Sequence, residues 1–358
     1  PTPQPTQSPL TATDTLAVSP SPEMFPSVTP DRPVSPPIAG VAQNVTLTSL
    51  KMFDATHGWA AATSDVDHNP HILRTSDGGA TWSEATPGGM KNEPGYPGSL
   101  ITFAALDMNT AWAILSSASP APQPSSLIVW HTTDGGAGWL ASDPLPASDL
   151  SVEFFMPDYF GFSSPRNGWL LTHNGAGMNH DYVTIFTTAD SGRAWNRVVD
   201  PYMDNLWMSC AKTGLVFFDA NRGWITYDCH GVKNGLDFYV TSDGGHTWQP
   251  VNLPSPGISP DYFNSLENYC GIDGIVYSDN PLLTVSITCM HAGTADPNRW
   301  LYTTPDNGTT WTWKAVPGGY GDSYFLSPIQ GWFLGHIKQQ DTDANTLSAT
   351  LDGGTNST

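Results

Sequence analysis

Five carboxylates stand in irregular, aromatic-rich segments where chemistry could be done: Asp158, Asp181, Asp204, Asp261 and Glu267. Two carboxylates about 5–10 Å apart can cleave a glycosidic bond, one as proton donor and the other as nucleophile or base. Tyr159, Tyr182, Tyr202, Trp207 and Tyr262 occupy the same segments. Rings beside carboxylates suit a sugar, through stacking and paired hydrogen bonds, and suit a protein ligand equally well. Sequence alone does not bring any two of these carboxylates together. The 10 histidines are dispersed without ligand spacing, so neither a metal nor a cofactor is expected.

A second set of carboxylates recurs in one octapeptide. It reads Thr75-Ser-Asp77-Gly-Gly79-Ala-Thr81-Trp82, and returns around Asp134, Asp190, Asp243 and Asp306. A sixth copy around Asp352 lacks its tryptophan. Asp-to-Asp spacings run from 46 to 63 residues, the length of a four-stranded unit with loops. An Asp carboxylate can accept backbone N–H bonds within its own turn, and a following Gly can take positive φ. These six residues are therefore expected to be structural corners, far apart on a rim, rather than a metal or catalytic set.

Upstream of each corner lies an aromatic-containing strand, a short polar turn and then Gly-Trp. The copies are Gly58-Trp59, Gly168-Trp169, Gly223-Trp224 and Gly331-Trp332, with Ala111-Trp112 as a variant. The fifth unit, around Tyr277 and Asp279, has no such pair. Short strands, tight turns and a period near 50 predict an all-β β-propeller of about six four-stranded blades over residues 41–358. Ala42–Ser49 is expected to supply the missing fourth strand of the last blade, which would remove an open edge. In this topology the Asp corners share one face. The opposite face carries longer, dissimilar loops, with Pro157–Phe160 and Pro260–Phe263 between blades and the segment from His173 to Tyr182 within one.

Cys210 and Cys229 bracket one inner hairpin, and Cys270 and Cys289 bracket the next, both 19 residues apart. Folding each hairpin at its turn brings the pair face to face, which predicts disulfides Cys210–Cys229 and Cys270–Cys289 and an oxidising compartment. Residues 1–40 are Pro-, Ser- and Thr-rich and read as a disordered tether, of the kind that follows a removed signal or lipid anchor. The formal charge of −20 argues against nucleic acid and anionic lipid as partners, so a membrane enters only through an upstream anchor.

The octapeptide after a Gly-Trp strand resembles the Asp-box, or BNR-repeat, propellers. It is most similar to those of photosystem II assembly and stability factors, and more distantly to sialidases; xyloglucanases and sortilin-type receptors also use Asp boxes. The resemblance covers about residues 44–358 and implies the fold. It does not transfer a site. Arg74, Arg166, Arg193, Arg197, Arg222 and Arg299 are scattered rather than clustered as in the assembly factors, and the Phe-Arg-Ile-Pro motif of sialidases is absent.

The reading from sequence is a secreted or surface-anchored binding scaffold, not an enzyme, that recognises a protein or glycan through its long-loop face. The alternative is a glycoside hydrolase using two of the five carboxylates.

Overall fold

The computed structural model describes residues 44–350, apart from 94–95, 97, 117–125, 147–152, 154, 179, 201–209, 230–234, 258–260, 266, 279–281, 292–297, 317–322, 326–329 and 340–341. The tether, Tyr202, Asp204, Trp207 and the sixth corner at Asp352 lie outside the described residues.

Among the described residues the chain forms five four-stranded antiparallel sheets and one of three strands, each built in chain order. A short pair, Ser126–Leu127 with Leu145–Pro146, accompanies them. The first strands are Val45–Met52, Leu100–Ala105, Met156–Phe162, Ala211–Phe217, Asn268–Ser278 and Ser323–Phe325. Those of sheets two to six lie beside one another in sequence order. No helix among the described residues is long and apolar enough to cross a membrane.

The Gly-Trp motif has a direct physical cause. The last residue of the first strand pairs with the first residue of the second: Met52 with Gly58, Phe162 with Gly168, Phe217 with Gly223. The large side chain folds over its partner. A Cβ at Gly168 would sit 2.5 Å from the Phe162 ring, and one at Gly223 would sit 2.7 Å from Phe217. Sheet two pairs Ala105 with Ala111, two small residues, so it needs no glycine. The following Trp59, Trp112 and Trp224 are fully buried. Trp59 donates its indole N–H to Asp107 O (3.1 Å) and Trp112 donates to Ser191 O (2.8 Å), each in a turn of the next sheet. The core is accordingly a series of layers between neighbouring sheets, such as Trp59, Ile72, Ile101 and Trp139 between the first two and Trp169, Leu171, Leu215 and Phe217 between the third and fourth. Burying an aromatic or branched side chain there stabilises the fold by roughly 1.5–3 kcal/mol.

The Asp corners close on themselves. Asp77 accepts the N–H of Thr81 (2.8 Å) and the hydroxyls of Thr75 (2.9 Å) and Thr81 (2.6 Å), while Thr75 Oγ1 accepts from Gly79 N. Asp134, Asp190, Asp243 and Asp306 accept the corresponding N–H from Gly138, Ala194, Thr247 and Thr310. These bonds, the Thr247 and Thr310 hydroxyls foremost, pull Asp243 and Asp306 down to about 2. The turn takes two consecutive left-handed residues, such as Gly244 (φ 75°) and Gly245 (φ 96°).

Two expectations are corrected. Val45–Met52 is not the outer strand of the last sheet; it pairs along its length with Gly58–Ser64 as the first strand of sheet one. Leu47 pairs with Ala62 and Leu50 with Ala60, so the segment is held by the first sheet's own second strand. Pro157–Phe160 does not connect sheets either. It lies inside the first strand of sheet three, because Pro157 pairs with Thr172 and Phe160 with Leu170.

Candidate functional site

The five candidate carboxylates separate into two groups, with Asp204 outside the described residues. Asp261 and Glu267 are exposed and flank a short 3-10 turn, Tyr262–Asn264, that leads into sheet five. Nothing brings them together with the others. Tyr262 is buried against Trp300, rings 5.3 Å apart and edge-on, so it is a core residue and not a ligand platform. Asp158 and Asp181 do converge, through a residue that sequence reasoning did not select.

That residue is His173, on the second strand of sheet three, Gly168–Gly177. Its Nε2 lies 3.0 Å from Asp158 Oδ2 and its Nδ1 lies 2.7 Å from Asp181 Oδ1. Asp158 comes from the first strand and Asp181 from the third, His180–Thr188. Burial works to keep the imidazole neutral. The bonds and charges of Asp158 and Asp181 outweigh it and push His173 up to about 9, so the ring is a cation donating to both sides. Burial likewise opposes ionisation of Asp181, but His173 and Lys212 hold its carboxyl below the usual range. Lys212, on the first strand of sheet four, donates its backbone N–H to Asp181 Oδ2 (3.1 Å) and its Nζ to Asp181 O (2.7 Å) and Cys210 O (3.1 Å). Desolvation lowers this lysine to about 8, against the attraction of Asp181. Tyr159 donates its hydroxyl to Lys212 O (3.2 Å), so it braces two sheets.

The imidazole fills the gap between Asp158 and Asp181. These two therefore do not form a carboxylate pair with substrate between them. The pair that shares open space is Asp181 and Asp228. Both line a cavity of about 370 Å³ together with His173, Ala176, His180, Cys210, Ala211, Lys212 and Cys229. That volume falls within the range of small-molecule sites. Asp228 also borders a cleft of about 10 Å³ beside Asn268 and Gly271, which has room for about one water. The cavity wall is fixed covalently, because Cys210–Cys229 is a disulfide. Cys270–Cys289 locks the neighbouring hairpin in the same way.

The site rests on a repeated irregularity. A β-bulge interrupts the first strand of sheets one, three, four and five, at Thr48, Asp158–Tyr159, Thr213 and Asp273. Bulges re-aim side chains and are common beside active sites. The second-strand positions one beyond the pairs that flank these bulges are Thr63, His173, Asp228 and Thr288. In sheet three the bulge aspartate bonds His173. In sheet five Asp273 accepts the Thr288 hydroxyl (2.6 Å) and lies 3.6 Å from the buried Arg299 guanidinium. In sheet four the equivalent positions are Thr213, bonded to Thr226, and Asp228. The signal that could have found His173, Asp228 and Asp273 is a column four residues upstream of Met52, Phe162, Phe217 and Tyr277, with its partner column in the second strand. No group of three His, Cys, Asp or Glu that could hold a metal occurs among the described residues.

No protein-family model matches the chain. In sequence it is similar to a xyloglucanase of Acetivibrio thermocellus, 29% identical over 193 residues, covering 51% of this chain and 20% of the relative. A xyloglucanase of Paenibacillus sp. is 24% identical over 335 residues, covering 81% of this chain and 30% of the relative. The chain thus spans a fifth to about a third of the length of these curated relatives. Among solved structures, the GH74 xyloglucanase of Xanthomonas campestris gives a TM-score of 0.47 at 14% identity, covering 84% of this chain and 44% of that one. A PL25 ulvan lyase gives 0.47 at 12%, covering 89% and 85%.

The sequence relatives correct one expectation. The chain was read as a binding scaffold and not an enzyme, and the curated sequences it matches are named as enzymes, xyloglucanases. They give no support to a likeness to photosystem II assembly factors or to a protein partner.

Proposed function

We propose that the chain is a glycoside hydrolase module acting on an extracellular polysaccharide, with its reaction centre in the cavity between sheets three and four. The observation that carries this reading is that two carboxylates, Asp181 and Asp228, line one 370 Å³ cavity in a chain whose curated relatives are xyloglucanases.

Hydrolysis breaks the bond between the anomeric carbon and the bridging oxygen and adds water across it. Asp181 is held ionised by the His173 cation and by Lys212. It is suited to stabilise positive charge at the anomeric carbon and to take a proton from the incoming water. Asp228, on the neighbouring sheet, is assigned the proton given to the leaving oxygen. Asp158 acts through His173, fixing the ring that fixes Asp181, and is a positioning residue.

The same reading includes closure. Leu47 and Leu50 on the first strand of sheet one are 41% and 55% exposed, and packing the sixth sheet against them would complete a six-bladed ring without edges. The two disulfides fit secretion, and residues 1–40 would tether the module to an envelope.

The test is product analysis on xyloglucan. Wild type is expected to release oligosaccharides seen by chromatography. Asp181→Asn and Asp228→Asn are each expected to lose at least about a hundredfold in rate, the usual contribution of a positioned acid or base. Undiminished release by both variants would sink the assignment.

A further inference from the structure

The residue just before the bulge of the first strand is Leu47 in sheet one, Pro157 in sheet three, Lys212 in sheet four and Ile272 in sheet five. Their second-strand partners are Ala62, Thr172, Tyr227 and Ile287. The same register position thus carries an apolar residue in three sheets and a lysine in sheet four. That lysine is 4% exposed. A buried ammonium gives up hydration that Leu, Pro or Ile never had, so packing alone gives no reason for it.

Its bonds give one. Ala211, the residue before Lys212, pairs with Asp228, so the ladder of sheet four fixes Lys212 relative to that carboxylate. Toward sheet three, Lys212 donates its backbone N–H to Asp181 Oδ2 (3.1 Å) and its Nζ to Asp181 O (2.7 Å), gripping the carboxylate and the main chain of one residue together. Nζ also donates to the carbonyl of Cys210 (3.1 Å), which the Cys210–Cys229 disulfide holds in place. Tyr159 of sheet three donates back to Lys212 O. An apolar side chain would fill the same space and reach neither carbonyl.

We infer that Lys212 is a positioning residue that sets the separation of Asp181 and Asp228 across the two sheets. This rests on the hydrolase reading for the use of that separation, but not for the separation itself. A carboxylate pair cleaves a glycosidic bond only at a set distance, about 5–5.5 Å for retention and about 6.5–9.5 Å for inversion. Two carboxylates carried on different sheets therefore need a gauge between them, and the lysine spans that gap.

The test compares wild type, Lys212→Met and Lys212→Ala as whole chains at matched folded concentration. Methionine keeps the length of the stem and removes the ammonium. On xyloglucan, Lys212→Met is expected to lose about a hundredfold in kcat, the cost of a misplacement of about 1 Å, with KM little changed. Crystal structures of the two should show the carboxylates of Asp181 and Asp228 at different separations. Propylammonium should restore part of the rate of Lys212→Ala, and propanol, of the same shape without the charge, should not. Wild-type kcat in Lys212→Met, loss of kcat at an unchanged separation, or equal rescue by propanol overturns the inference. A shifted separation in Lys212→Met while wild type releases no products supports the gauge and refutes the hydrolase reading. Hydrolysis that needs Asp181 and Asp228 but not Lys212 does the reverse.

Discussion

The two ends of the sheets treat their carboxylates in opposite ways. At the corner end each aspartate is satisfied inside its own turn: Asp306 takes its bonds from Thr304 and Thr310 and needs nothing from another strand. At the cavity end, Asp181 is satisfied by His173 eight residues away and by Lys212 of the next sheet, and Asp273 by groups on two other strands. Local satisfaction makes a carboxylate a fastener. Satisfaction from several elements holds it in one place in a partly dry site, where its charge can act on something else.

The sharpest way to break this contrast is to remove one carboxylate at each end. Asp181→Asn should cost two or more orders of magnitude in the rate per folded molecule and also lower Tm, because the His173 cation loses a charged partner, whereas Asp243→Ala should lower Tm by a few degrees and leave the rate per folded molecule unchanged. Equal effects of the two on rate would erase the distinction. Next in size is the cavity wall. Cys210→Ala/Cys229→Ala should cost about 3 kcal/mol in denaturant unfolding by loop-closure entropy, and should raise KM, because the cystine lines the cavity.

A smaller effect separates the ends by pH. His173 is raised to about 9, so its contribution to stability is complete below the unfolded value near 6.5 and is lost as pH climbs through 9. Lys212 is lowered to about 8, so it adds stability between about 8 and 10.4, the reverse sign. Asp243 and Asp306 are lowered to about 2, so the corners lose stability only as pH falls from about 4 toward 2. Tm should therefore fall from pH 6.5 to 8, and His173→Gln should flatten that slope while leaving the acid limb alone. An unaltered slope in His173→Gln would contradict the assigned cation.

The smallest effect concerns the Gly-Trp hairpins. Gly168→Ala should destabilise by about 1–3 kcal/mol through the Phe162 ring, and the loss should shrink when Phe162 is also Ala. Sheet two already carries that small-small combination at Ala105 and Ala111.

The same contrast explains what could be read without coordinates. The corners and the Gly-Trp pairs recur in sequence because each is a local solution, a turn with its own hydrogen bonds or a ring over a glycine, so they were visible as motifs. The cystines were visible because each closes one hairpin. The cavity was not. Its lining comes from two sheets, with His173 and Asp181 on one and Lys212 and Asp228 on the next, and the bulge that brings Asp158 to His173 is one that sequence does not announce. Tyr262 misled for a related reason: a tyrosine beside an aspartate looks like a binding loop, yet here the ring fills a gap against Trp300.

The most direct measurement of the central claim is the release of reducing ends from xyloglucan by wild type and by Asp228→Asn, at matched folded concentration. The account predicts steady release by the first and near-background release by the second. Equal release by the two, or none by a fully folded wild type on any neutral polysaccharide offered, would contradict it.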